Sequence, residues 1–227
     1  MRIGQLLGTG RSADVYAIDE AWVLRRYRDS SDATPELAVM SYLSACGYPV
    51  PRLGPSPAIA TPSDLVLQRL TGPTMLESLL SGALTEDEGG AMLAGLLTDL
   101  HTIPARVSQV PEDRILHLDL HPDNVMLTPD GPVVIDWWTT AEGPPALDRA
   151  MSSLILAQVA VDPASPTAAG ARSLLTALLL HLTRPGRRPR PPHLAQAKRC
   201  RATDPNLSPG ELALIDEAAD LISELTG

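Results

Sequence analysis

Within about twenty residues, His117-Leu118-Asp119-Leu120-His121-Pro122-Asp123-Asn124 and the later Val133-Val134-Ile135-Asp136-Trp137 offer a carboxylate at Asp119, an amide at Asn124 and a further carboxylate at Asp136. Transfer of a phosphoryl group needs those types: one group to accept the proton of the attacking hydroxyl, and hard oxygen ligands for magnesium. Asp119 suits the first task from a loop, and Asn124 and Asp136 suit the second. Between them lie two short apolar runs separated by Thr128-Pro-Asp-Gly131, which read as the arms of a hairpin.

The spacing His-x-Asp-x-x-x-x-Asn, followed by an apolar strand ending in Ile-Asp-Trp, resembles the aminoglycoside phosphotransferase and choline kinase branch of the protein-kinase-like superfamily. The resemblance implies an α+β, bilobal protein-kinase-like fold. An N-lobe of antiparallel strands plus one helix would span 1–69, and a mainly α-helical C-lobe 70–227. It also implies transfer of the γ-phosphoryl of ATP (or GTP), with Mg2+, to a hydroxyl of a small molecule such as an aminoglycoside, another aminoalcohol or a sugar.

Elements that must position these groups follow in chain order. Leu6-Leu7-Gly8-Thr9-Gly10-Arg11-Ser12-Ala13-Asp14-Val15 matches a glycine-rich nucleotide loop with Ala13 in place of the third glycine. Gly8, Gly10, Ser12 and Ala13 would cover the phosphates, and Val15 would lie over the adenine. A short Gly-x-Gly is equally the mark of a plain hairpin turn. Trp22 to Tyr27 reads as the third strand, and alternation puts Val23 and Arg25 on one face and Leu24 and Arg26 on the other. Relatives carry a lysine at the position of Arg25; here no lysine precedes residue 198.

Thr34-Pro35-Glu36 opens a helix to about Cys46, with Thr34 as N-cap, Pro35 at the first helical position and Gly47 as the stop. Glu36 matches the glutamate that pairs with the strand-three cation, and also complements the helix dipole. Gly47 to Pro51 resembles the link into a fourth strand. Leu65 to Leu70 resembles a fifth strand running into the hinge, where the backbone near Gln68 and Leu70 would meet the adenine edge.

Thr85-Glu-Asp-Glu88 is a capping box for a helix ending near His101, a structural helix-end residue. Eleven residues separate Asp136 from Asp148, too few for a protein-kinase activation loop, which favours a small acceptor. Asp148 matches an aspartate that braces the catalytic loop. Helices are expected near 146–160, 167–182 and 208–225. The basic, proline-rich run of 184–201 reads as a solvated loop.

A formal charge of −9 argues against general affinity for nucleic acid or anionic membrane and permits a cationic substrate. Cys46 and Cys200 lie far apart without ligand-like spacing. The start Met-Arg-Ile-Gly-Gln lacks a secretory pattern, and no apolar run has the length of a membrane span, so a cytoplasmic location is expected. Oligomeric state is not legible. The rival readings are a nucleotide-binding pseudoenzyme, motivated by Arg25, and a protein kinase.

Overall fold

The computed structural model describes residues 3–10, 12–55, 61–182, 189 and 191–226. The chain divides into two compact units, 1–72 with 126–138, and 73–125 with 139–227.

The first unit is built on an antiparallel sheet in the order β1(Leu6–Thr9), β2(Ala13–Ala17), β3(Trp22–Tyr27) and β4(Asp64–Gln68). Asp19 closes the β2–β3 turn by accepting the N–H groups of Ala21 and Trp22. Gly8 pairs with Val15, Val15 with Arg25 and Arg25 with Leu65, a row straight across the sheet. Directly paired residues share a face, so Ala13, Val15, Val23, Arg25 and Tyr27 lie on one side together. The expected fifth strand is thus β4, and it pairs directly with β3. Among the described residues, the expected fourth strand is reduced to a single bridge between Leu53 and Leu67.

The helix α1(Thr34–Ala45) has Ala33, not Thr34, at its N-cap. Asp32 makes the local contact by accepting the N–H of Thr34 at 2.9 Å; Pro35 and a left-handed Gly47 stand where expected. Val39, Met40 and Leu43 of α1 are buried, as are Leu65 on the Arg25 face of the sheet and Leu24 on the other. The hairpin β6(Val125–Thr128)–β7(Gly131–Val134) contributes residues 126–138 to the unit. Val134 N–H donates to the carbonyl of Pro49, and Gly72, at φ +133°, brings its Cα so close to Leu127 that a Cβ would stand 2.0 Å from that carbonyl oxygen.

The second unit is helical, with α2(Met75–Leu80), α3(Glu86–Leu100), α4(Pro145–Val161), α5(Ala168–His181), α6(Pro191–Ala202), α7(Pro209–Ala213) and α8(Ile215–Thr226). The expected capping box at Thr85 and Glu88 is present, and equivalents open α2 and α7. Gly90 lets α3 and α5 meet, since a Cβ there would lie 2.5 Å from that of Ala177. The expected helix over 208–225 is broken at Leu214 into α7 and α8.

The expected loop over 184–201 is corrected in its second half, which forms most of α6. Leu194 and Ala197 are buried, and α6 packs on α4 and α8, so two apolar residues one turn apart outweigh the polarity of the rest. Residues 183–188 and 190 lie outside the described residues. Two strands, β5(Arg114–Leu116) and β8(Ala141–Gly143), pair antiparallel, β5 leading directly into His117. Among the described residues no helix is long and apolar enough to cross a membrane.

Candidate active site

In the first unit, β3, α1 and the end of the hairpin bring together Arg25, Glu36 and Asp136. Arg25 donates through Nη1 to Glu36 Oε1 and through Nη2 to Asp136 Oδ1, both at 2.6 Å. Glu36 also accepts the Trp137 backbone N–H at 3.1 Å and the Tyr27 hydroxyl. Tyr27 in turn packs against Trp138, with centroids 4.6 Å apart and the rings tilted by 45°, and lies under the Arg25 guanidinium.

Burial opposes the charge on Arg25, yet the fields of Glu36 and Asp136 raise its pKa above the ordinary arginine value. Burial likewise pushes the Glu36 carboxyl upward, and Arg25 and the Tyr27 hydroxyl pull part of the way back. Asp136 has φ +63°, a left-handed conformation that a non-glycine residue holds only when its surroundings fix it. Arg25 on its side chain and Glu36 on the next N–H supply that constraint. With Oδ1 on Arg25, Oδ2 of Asp136 accepts no hydrogen bond among the described residues.

The glycine-rich segment forms the β1–β2 hairpin, where Gly10 N–H donates to Ala13 O at 2.9 Å and the Gly10 carbonyl accepts from Arg28. Neither Gly8 nor Gly10 has a positive φ, and no atom lies within 4 Å of where a Gly8 Cβ would be. Nothing in the fold itself therefore requires glycine at position 8. Ser12 accepts Arg28 N–H through its carbonyl, and Ala13 is buried. Val15 stands in the row containing Arg25, and Val23 lies two residues before Arg25 on the same face of β3. Gln68 is fixed by Arg52 through backbone and side chain, whereas Leu70, just past β4, has neither backbone N–H nor carbonyl bonded among the described residues.

In the second unit, Asp148 holds the loop that carries Asp119. It has no exposed surface and accepts the backbone N–H groups of His117 at 3.0 Å and Leu118 at 2.7 Å, and faces His101 Nε2 at 3.0 Å. Burial pushes its carboxyl up, but the His101 hydrogen bond and the two backbone N–H groups win, leaving it below the usual carboxylate range. His101 caps the C-terminus of α3, as expected, and also meets Arg149 through Nδ1 at 3.3 Å. Leu118, held by Asp148, is left-handed at φ +64°.

Asn124, in the short 3-10 turn Pro122–Asn124, donates from Nδ2 to the Asp119 carbonyl at 2.9 Å and to Asp119 Oδ2 at 3.2 Å. Its Oδ1 is thereby turned away from Asp119 and bonded to nothing among the described residues. Asn124 and Asp136 thus each retain an unused hard oxygen, the donor type that suits magnesium. No cluster of three or more His, Cys, Asp or Glu side chains placed for a metal occurs among the described residues.

Two neighbours of Asp119 escape sequence reasoning. His121 Nε2 lies 3.6 Å from Oδ2, with its Nδ1 accepting the Asp123 N–H. Arg201, in the last turn of α6, places Nη1 3.7 Å from Oδ1. Burial pushes the Asp119 carboxyl up, and the cationic and donor groups of His121, His117 and Arg201 outweigh it, leaving the carboxyl below its ordinary range. His121 sits inside the motif and could have been found; Arg201 had no local signal.

A profile of the phosphotransferase enzyme family matches residues 4–114 and 106–189, most of the chain. The chain belongs to that family. Among solved structures, this phosphotransferase is similar to the gentamicin complex of APH(2")-IIa, with TM-score 0.58 and 13% identity over 97% of this chain and 94% of that one. The ADP-bound aminoglycoside phosphotransferase APH(2'')-Ib gives TM-score 0.57 and 15% identity over 100% and 95%. A choline/ethanolamine kinase family protein from Mesorhizobium loti gives TM-score 0.57 and 14% identity over 97% and 87%. No curated protein of similar sequence is found. At such identities the neighbours establish the fold, which is the α+β protein-kinase-like fold expected, and the family establishes a phosphotransferase enzyme.

Proposed function

We propose that the phosphotransferase moves the γ-phosphoryl of ATP (or GTP) to a hydroxyl of a small molecule. The observation that carries this is the loop around Asp119: a carboxylate kept ionised, beside an asparagine whose amide nitrogen points at it, on backbone pinned by a fully buried aspartate. Asp119 accepts the proton of the attacking hydroxyl. A weak base suffices, because the transition state of phosphoryl transfer is loose and the hydroxyl loses its proton late. Asn124 and Asp136 would hold magnesium, which would neutralise charge developing on the transferred phosphoryl.

Gly8, Gly10, Ser12 and Ala13 cover the phosphates, and the open space at Gly8 supports that reading, since only something outside the chain would exclude a side chain there. Val15 and Val23 contact the base, and the unspent backbone groups at Leu70, next to Gln68, receive its edge. Arg25 anchors phosphate only by sharing itself with Glu36 and Asp136, so it acts first as the group that sets Asp136 in place. Solved neighbours bound to ADP and to AMP-PNP support a nucleotide co-substrate, and gentamicin and amicoumacin complexes support small hydroxylated acceptors.

The test is ADP formation from magnesium-ATP across panels of aminoglycosides, aminoalcohols, sugars and nucleosides. Acceptor-dependent ADP is expected; magnesium-dependent nucleotide binding without turnover on any acceptor would establish the pseudoenzyme instead. Asp136→Ala should remove the magnesium-dependent part of nucleotide affinity, read by titration with and without the metal. An unchanged dependence would place the ion elsewhere.

A further inference from the structure

The end of α6 puts a cation beside the proposed base, and what holds it there decides its use. Arg201 is nearly buried: Nε donates to Gln158 Oε1 at 2.9 Å and Nη1 to Asp204 Oδ2 at 3.2 Å. Gln158 is itself 5% exposed and donates from its other end to the Glu211 carbonyl at 2.9 Å. The guanidinium is thus fixed from behind by α4, α7 and the chain after α6. Its Nη1 lies 3.7 Å from Asp119 Oδ1, and Nη2 makes no hydrogen bond among the described residues.

An acceptor hydroxyl that gives its proton to Asp119 must come within about 3 Å of the carboxylate. The substituent on the carbon next to that hydroxyl then falls within reach of the Arg201 fork. A guanidinium has five N–H donors and no acceptor, so it binds oxygen and repels an ammonium. The other charged groups facing this point are Asp119 itself, His121 and Asp204. Asp204 is already engaged by Nη1 and Asp119 is required for the reaction, so neither is left to pair with an amine.

Resting on the phosphotransferase reading above, we propose that Arg201 is a specificity-determining residue. It selects acceptors whose reacting hydroxyl is flanked by an oxygen substituent, a hydroxyl or carboxylate, and disfavours those flanked by an ammonium. The selection concerns only the neighbouring substituent, so an acceptor that carries amines elsewhere still qualifies.

The test uses pairs in which the reacting hydroxyl has a single polar neighbour that is either oxygen or ammonium: ethylene glycol against ethanolamine, propane-1,2-diol against 1-aminopropan-2-ol, and trans-cyclohexane-1,2-diol against trans-2-aminocyclohexanol. With magnesium-ATP, the oxygen-bearing member should have a KM lower by about tenfold, with kcat little changed, the size expected of one hydrogen bond to a charged group. Arg201→Gln should erase the difference by raising that KM, Arg201→Lys should keep most of it, and Arg201→Glu should reverse it. Calorimetric binding of the same pairs in the presence of magnesium and AMP-PNP reads the preference independently of turnover. Absence of transfer to any acceptor of the wider panel overturns the kinase reading, whereas the calorimetric arm reads the role of Arg201 whether or not these pairs turn over. A preference for the amine-bearing members, or a preference indifferent to Arg201→Glu in both assays, overturns the role of Arg201.

Discussion

The Arg25 cluster and the Asp119 loop solve the same problem, fixing a functional carboxylate, by different means. In the first unit Asp136 is held by ion pairing: one guanidinium bridges two carboxylates, and a tyrosine and a tryptophan N–H complete the shell of Glu36. In the second, Asp119 is held mainly through its loop, with Asp148 gripping the backbone N–H groups of His117 and Leu118, and its carboxylate meets Asn124, His121 and Arg201. The first arrangement is exchangeable, because a guanidinium can redistribute among oxygens when phosphates arrive. The second is not, since one fully buried carboxylate holds both backbone N–H groups at once.

The largest expected effect falls on the part the loop exists to present. Asp119→Asn should lower phosphoryl transfer by about 10²–10⁴-fold while nucleotide affinity stays nearly intact, because the base acts on the acceptor hydroxyl. Near-normal turnover would remove Asp119 from the mechanism.

Asp148→Ala should cost about 3–5 kcal/mol of stability, read by urea denaturation, since it strands two buried N–H groups and His101. The Asp148 carboxyl is depressed on folding from the ordinary 3.8. Its stabilisation is therefore complete above that value and fades as pH falls through the lower folded one. Asp148→Asn should lose this acid-side dependence, and an unchanged acid limb would mean that other carboxylates dominate it.

Arg25→Ala leaves Glu36 buried without its cation, a loss of about 3 kcal/mol or more, with a large fall in ATP turnover. Arg26→Ala breaks a two-point pair with Asp64, whose carboxylate is covered while Arg26 is partly exposed, a loss of about 1–3 kcal/mol, and should leave turnover close to normal. Equal losses of ATP binding and turnover in the two variants would end the case for Arg25 as the anchor. Arg25→Lys, which keeps a cation between the carboxylates, should retain substantial activity.

The smallest effect on folding should come from Gly8→Ala, within about 0.5 kcal/mol of the parent because nothing crowds the site. Its KM for nucleotide should nevertheless rise several-fold. A normal KM would show that the β1–β2 hairpin is only a turn.

Much was legible in the chain because the chemistry is compressed. Asp119, Asn124 and Asp136 lie within one loop and one hairpin, the capping box at Thr85 declares its helix within four residues, and Trp22–Tyr27 alternates as a strand must. Such signals follow from backbone hydrogen bonding and side-chain direction at short separation, which every sequence carries on its face. The cap of α1 misled because Asp32, Ala33 and Thr34 compete within one turn, and only the realised dihedrals choose among them. The hairpin's membership in the first unit was not legible either. It depends on the Val134–Pro49 hydrogen bond and on the close approach of Gly72 to Leu127.

Sequence by itself determined the type of chemistry and the order of the elements that present it. Only tertiary structure decided that Arg25 spends both arms of its fork on Glu36 and Asp136, the latter 111 residues away, and that α6 returns from a basic run to set Arg201 against Asp119. Charges attract whatever partner packing brings within a few ångströms, and that choice rests on buried apolar contacts such as Leu194 and Ala197 against α4 and α8, which carry no mark of the site they aim.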